Sequence, residues 1–189
     1  MKITLAIDTA TARTQFALLK GDDLLWQLTE DGATTHGDVL AKFGESAARE
    51  EIDRVIVGMG PGPFTGLRTG IVFAKSFAFA RGLPVHGVCS LDAIAFGIDL
   101  PEFVVATDAR RKELYWAKYV GGKRVGQPMV TSPNEIPKLP IFGEGAQKYS
   151  LTTDSQHLYP NLISFPHLVH VDEPMYLRHP DAVPTAERK

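Results

Sequence analysis

The residues best suited to chemistry gather in one segment, Gly60-Pro61-Gly62-Pro63-Phe64-Thr65-Gly66-Leu67-Arg68. Gly60, Gly62 and Gly66 stand between an apolar strand and a helix, where bare backbone can approach an anion closely. Thr65 and Arg68 would add a hydroxyl and a guanidinium to a phosphate-binding loop. Against this, no Gly-x-x-x-x-Gly-Lys-[Ser/Thr] frame fits, and Pro61 and Pro63 each remove a backbone donor. A rigid structural turn and an anion or nucleotide loop both remain open. Two acids, Asp8 and Asp108, end apolar runs, the usual place for ligands in α/β folds. The residues after them, Thr9-Ala10-Thr11 and Ala109-Arg110-Arg111, contain no glycine to admit a phosphate. Metal or phosphate binding therefore stands beside plain capping of a strand end.

The other reactive side chains form no catalytic set. Six histidines are scattered, and His167-x-x-His170 lies in a Pro-preceded extended stretch with no third ligand in view. No metal site is expected. The single cysteine, Cys89, sits in the apolar run Val85-His86-Gly87-Val88-Cys89, as an inert buried thiol would. No Gly-x-Ser-x-Gly elbow occurs. Arg110-Arg111-Lys112, with Lys123 and Arg124, reads either as a solvated loop and hairpin end or as a secondary contact for RNA phosphates.

These residues need elements to hold them. Ile3 to Asp8 reads as a buried strand, followed by a hairpin through Lys20-Gly21-Asp22-Asp23. The same pattern recurs about one hundred residues later: Phe103 to Asp108, then Glu113 to Val120, then Gly121-Gly122. Asp8 to Ala17 and Asp108 to Ala117 share one offset, and so do Asp8 to Gly21 and Asp108 to Gly121. Between the repeats, Thr35-His36-Gly37-Asp38 has capping-box form, and Val39, Leu40, Phe43 and Ala47 follow at helical spacing. Arg54 to Met59 reads as an interior parallel strand. The spacing of Phe64, Leu67, Ile71, Ala74 and Ala78 predicts a helix to Arg81, with Phe73, Phe77 and Phe79 on other faces. A helix greasy nearly all round is buried or partnered, and part of it is expected to face a partner across Thr69 and Gly70. Pro84 to Val88 forms a strand, and Ser90 stands as the N-cap of a third helix. Residues 128–189 are Pro-rich and weakly periodic, and Pro184 to Lys189 read as a frayed tail.

The chain has 189 residues, enough for one domain or two packed halves, here 1–100 and 101–189. Twenty basic against twenty-two acidic residues give a net charge of −2, which argues against gripping nucleic acid alone. The first half carries −3 (nine basic, twelve acidic) and the second +1 (eleven, ten). One cysteine excludes an internal disulfide. The N-terminal apolar run is too short for a secretory signal, and Gly70 to Ala80 is far below spanning length. A cytoplasmic protein is expected.

With these blocks in place, the sequence resembles the bacterial TsaB (YeaZ) family. The resemblance runs from Ile7-Asp8-Thr9-Ala10-Thr11 through His36 to Gly60–Gly70 and Gly87-Val88-Cys89-Ser90-Leu91. It continues through Asp108-Ala109-Arg110 and Glu113–Ala117 to Glu173-Pro174-Met175-Tyr176-Leu177-Arg178. It implies an α/β, duplicated actin/sugar-kinase/Hsp70-like fold. It also implies a non-catalytic paralogue of the subunit TsaD, which installs threonylcarbamoyl on adenosine 37 of tRNA. The implied partners are a TsaD-like catalytic subunit and a TsaE-like ATPase, with tRNA met only through the complex; no cofactor is expected, and a homodimer in isolation is expected because exposed apolar patches seek cover. The resemblance implies pairing through helices of the N-terminal half, and the expected contact helix is Phe64, Leu67, Ile71, Ala74 and Ala78, with Thr69, Gly70, Phe73 and Phe77 as neighbours. His36, Val39, Leu40 and Phe43 flank it. On this reading, Arg at Ile71 or Ala74 would break pairing and spare the fold. A stand-alone kinase or metallopeptidase of the same superfold is the rival. Pro63 replaces the family's usual Ser, the helix after His36 is shorter, and the helices usual before Glu173 are almost gone, so the second half is expected to be truncated.

Overall fold

The computed structural model describes residues 1–32, 36–151 and 156–178. The capping residue Thr35 and the tail 184–189 lie outside them. Strands β1 (Ile3–Asp8), β2 (Arg13–Lys20), β3 (Asp23–Asp31), β4 (Arg54–Gly58) and β5 (Val85–Val88) form one sheet in the order β3-β2-β1-β4-β5. Strands β6 (Glu102–Asp108), β7 (Leu114–Val120), β8 (Lys123–Thr131) and β9 (Ile141–Phe142) form a second sheet in the order β8-β7-β6-β9. In each, two antiparallel pairs are followed by a parallel strand beside the first. The duplication expected from the repeated hairpin is thus a repeated strand order, and among the described residues the second copy has no fifth strand.

The period of two in each strand sorts the core into layers. On the first sheet, Leu5, Ile7, Phe16, Leu18, Val55 and Val57 face α1 (His36–Ala48) and α2 (Phe64–Arg81). Ala6, Ala17, Leu19 and Ile56 face the opposite way, toward α3 (Ser90–Ala95) and a 3-10 helix at Leu162–His167. On the second sheet, Phe103, Val105, Ala117 and Tyr119 meet α3, while Val104, Ala106 and Trp116 meet Ala146 of α4 (Glu144–Lys148). Helix α3 therefore lies between the two sheets. Gly44 of α1 is a packing residue: a Cβ there would stand 2.7 Å from the Phe73 ring of α2.

The late Pro-rich segment does not thicken the second half. Leu162 and Phe165 are buried against Ala6, Ala17, Leu19 and Ile56 of the first sheet, and Gln15 donates to the Pro160 carbonyl at 3.1 Å. Residues 170–178 then run as a strap. His170 bridges Val88 at the edge of β5, the Val171 amide donates to Gly87, and the Met175 amide donates to Met59.

The two acids are not structural counterparts. Ile3 pairs with Lys20 and Glu102 with Val120, each just before a left-handed turn glycine (Gly21 φ 62, Gly121 φ 56). By this register Asp8, opposite Gln15, corresponds to Thr107, opposite Tyr115. Asp108 stands one residue farther along, because the β6–β7 connection carries one more residue than the β1–β2 connection. The shared offset in sequence numbers concealed this slip.

Candidate functional site

Asp8 ends β1 in full burial, enclosed by Gly58 of β4 and Ser90 of α3. Its Oδ1 accepts from the Ala10 amide at 2.9 Å and its Oδ2 from the Ser90 hydroxyl at 2.6 Å. Burial pushes its pKa up from 3.8 to about 6, against the two hydrogen bonds, which pull it down. Ser90 was expected to cap α3. It is instead the first helical residue, with Cys89 in the cap position, and its hydroxyl donates to the buried Asp8 carboxylate.

The glycine loop closes on the chain itself. A Cβ at Gly62 would stand 2.4 Å from the Ala10 carbonyl oxygen, and one at Gly70 would stand 2.1 Å from the Thr9 hydroxyl. That hydroxyl donates to the Gly66 carbonyl at 2.9 Å. A Cβ at Gly66 would meet His36 Nε2 at 3.0 Å, and Gly60 sits at φ 87. Thr9 and Ala10 thus occupy the space beside Gly62, Gly66 and Gly70. Of the loop residues, Thr65 and Arg68 reach solvent. The glycines of the loop admit the β1–β2 connection, whose backbone packs directly against them.

His36 is buried, with Nδ1 2.6 Å from the Thr14 hydroxyl. Burial lowers its pKa, and the charge of Arg110 adds to the effect. Asp108 is tied into the second half: Oδ1 accepts from the Arg110 amide at 3.0 Å, and Oδ2 pairs with Lys148 at 2.7 Å. Beyond it, Arg110, Arg111 and Lys112 are three consecutive non-glycine residues in the left-handed region, at φ 58, 53 and 62. Each such residue costs roughly 1–2 kcal/mol of local strain. Of the other expected members of the basic patch, Arg124 turns inward to Asp92 at 2.9 Å.

The expected contact helix keeps its bounds, but its faces are exchanged. Leu67, Gly70, Ile71, Ala74 and Ala78 are buried, as are His36, Val39, Leu40 and Phe43, all within this chain's own core. Phe73 and Phe77 are half-buried against the same cluster. The apolar periodicity marks the side lying on β1 and β4, because the sheet itself needs that cover. Arg at Ile71 or Ala74 would therefore unfold the chain rather than dissect pairing. The free face is a stripe four, four, three and four residues apart: Phe64, Arg68, Val72, Lys75 and Phe79. Phe79 is 88% exposed and Val72 52% exposed. Tyr176 of the strap extends the stripe, with its ring 5.0 Å from that of Phe64.

Cys89 is buried, and desolvation lifts its pKa to about 12. We expect native protein to resist Ellman's reagent for hours and to react fully in denaturant; fast native labelling would refute the buried placement. His167 pairs with Asp22 at 2.8 Å, whereas His170 stacks on His86 at 4.3 Å, so the His-x-x-His pair diverges. Among the described residues no group of three His, Cys, Asp or Glu side chains is arranged to hold a metal ion. No helix among them is long and apolar enough to cross a membrane.

Comparison with known proteins places this arrangement. The sequence profile of the family described as "TsaD: tRNA N6-adenosine threonylcarbamoyltransferase" matches residues 38–175. An uncharacterized protein of Mycobacterium tuberculosis is 38% identical over 96% of this chain and 94% of its own length. The Haemophilus influenzae "tRNA threonylcarbamoyladenosine biosynthesis protein TsaB" is 35% identical over 63% of this chain and 54% of its own length. Among solved structures, YeaZ from Pseudomonas aeruginosa superposes with a TM-score of 0.70 at 25% identity, covering 89% of this chain and 90% of that one. A further solved structure, described as an uncharacterized protein with similarity to peptidase YEAZ from Pseudomonas aeruginosa, reaches a TM-score of 0.72 at 24% identity, over 94% and 100% of the two chains. That second likeness speaks for the fold alone. A profile match across most of the chain, together with a TsaB-named relative and the YeaZ structure, means that the chain belongs to the TsaD family, within its TsaB/YeaZ group.

Proposed function

We propose that this chain is a non-catalytic subunit in the formation of threonylcarbamoyladenosine in tRNA, and that it works by pairing with a TsaD-like catalytic subunit alongside a TsaE-like ATPase. The observation that carries the pairing is the stripe Phe64, Arg68, Val72, Lys75 and Phe79 on α2, continued by Tyr176. Exposed aromatic and aliphatic side chains aligned on one helix face, on an element otherwise committed to the core, invite cover by a partner. The crevice filled by Thr9 and Ala10 supports a role without chemistry of its own. The names of the relatives supply the pathway. In isolation the same stripe covers itself in a homodimer.

The test is threonylcarbamoylation of tRNA by the catalytic partner, the ATPase and threonylcarbamoyl-adenylate, with and without this chain. Activity is expected only when the chain is present. Val72→Arg and Phe79→Arg should each weaken co-elution with the partner about tenfold or more while leaving the circular dichroism spectrum unchanged. Full activity without the chain would overturn the reading. Calorimetric binding of magnesium-ATP by the chain alone would revive the stand-alone kinase of the same superfold.

A further inference from the structure

The tip joining β6 to β7 combines two features that pull against each other. Its three residues adopt a backbone that turns usually assign to Gly, Asn or Asp, yet Arg110, Arg111 and Lys112 are long cations, all exposed. Such a conformation persists only where its surroundings over-determine it, and it gathers at functional places. The clamps are present. The Arg110 amide donates to Asp108, the Glu113 amide to the Arg110 carbonyl, and the Ala109 amide to the Glu113 carbonyl, each at 3.0 Å. From the strap, Arg178 donates to the Ala109 carbonyl at 2.9 Å and pairs with Glu113.

These clamps also set the charge. The two acids flanking the tip are each matched by a cation from elsewhere, Asp108 by Lys148 and Glu113 by Arg178. Among the described residues, no carboxylate lies within ion-pair distance of Arg110 or Lys112. The field reaches across to the first half, where Arg110 adds to the lowering of the His36 pKa. Arg110 and Lys112 therefore place positive charge on a rigid point of a chain whose net charge is −2.

We propose that Arg110-Arg111-Lys112 is a contact for the RNA phosphodiester backbone, contributed by this chain to the assembled enzyme; this rests on the pairing reading above. Guanidinium forks and an ammonium on a pre-set backbone match neighbouring phosphates with little ordering left to do. Three cations are too few to hold RNA without help, so the contact acts only beside the partner's own grip. An acidic protein surface is the competing occupant, and the experiment separates the two.

The experiment measures tRNA binding by the reconstituted complex, using fluorescence anisotropy across a salt series. The variant Arg110→Asn with Arg111→Gly and Lys112→Asn removes three charges and suits the left-handed backbone. Its affinity for tRNA should fall about tenfold near 0.1 M salt, and the slope of log K against log salt should shrink by about 2. Its Tm should equal or exceed that of the parent. Arg110→Lys with Arg111→Lys should keep the parental slope. An unchanged slope in a complex that forms normally would overturn the proposal. Loss of partner co-elution in the absence of RNA would also overturn it, assigning the tip to a protein surface. If the parent chain fails to co-elute with the partner at all, the pairing reading falls, and this proposal falls with it.

Discussion

Gly58→Ala is expected to destabilise the fold by about 3 kcal/mol or more, at the upper end of what overpacking costs. A Cβ at this position would stand 1.9 Å from Asp8 Oδ2, 2.7 Å from Ser90 Oγ and 2.9 Å from Asp8 Cγ. None of these can step aside, because Asp8 and Ser90 are both buried and bonded to each other. Displacing the carboxylate breaks the bonds that satisfy it and leaves a buried acceptor unpaired, which adds its own penalty. In a chain of this size the loss should appear as a fall in Tm of roughly 10 °C. Gly37→Ala is the control, since nothing lies within 4 Å of its added Cβ, and it should be neutral or slightly stabilising. A Tm for Gly58→Ala within a degree of the parent would show that the carboxylate does not sit against β4.

Asp8→Asn should have an effect of similar size and opposite sign at neutral pH. The Asp8 pKa lies at about 6 in the fold against 3.8 as its ordinary value, a gap of about two units, or about 3 kcal/mol of ionisation cost. Between these values the folded carboxyl holds a proton that the unfolded chain has released. Its contribution is therefore present in full below 3.8, lost as pH rises to about 6, and absent above it. Asn keeps the acceptor for the Ala10 amide, and its own amide can donate to the Ser90 oxygen, with no charge to desolvate. Chemical denaturation should find Asp8→Asn more stable than the parent by up to about 3 kcal/mol at pH 7.5, with the gap closing toward pH 4. A constant gap across that range would refute the buried, proton-linked carboxylate. His36 acts in the reverse sense. Its pKa is lowered from 6.5, so its contribution is present above 6.5 and declines as pH falls toward the folded value. His36→Gln should flatten that limb.

Much of the fold was legible because strands and turns carry local signals. The apolar run into Asp8, the hairpin at Gly21, and α2 from Phe64 to Arg81 all stand where periodicity and turn residues put them. What periodicity could not decide was direction. The spacing of Leu67, Ile71, Ala74 and Ala78 marks a buried face, and this face serves the chain's own sheet before any partner. The free stripe is legible only once the core has claimed its side. Glycines 62, 66 and 70 likewise announce a close approach without saying by what, and the answer, Thr9 and Ala10, lies some fifty to sixty residues away in sequence. The strained backbone of the tip at Arg110 was hidden for the opposite reason. Its left-handed backbone carries none of the residues that usually advertise one, and the clamps that hold it come from Lys148 and Arg178.

The strap gives the order of synthesis a cost in time. The edge of β5 is covered by His170 and Val171, which follow Val88 by more than eighty residues. At a translation rate of about 5–20 residues per second, the first sheet waits several seconds or longer on the ribosome with that edge and the Leu162–Phe165 groove uncovered. An open edge beside apolar surface is what invites mispairing between chains. Slowing translation across residues 100–160 should therefore lower the soluble yield of this chain, whereas slowing it within the first fifty residues should leave that yield alone.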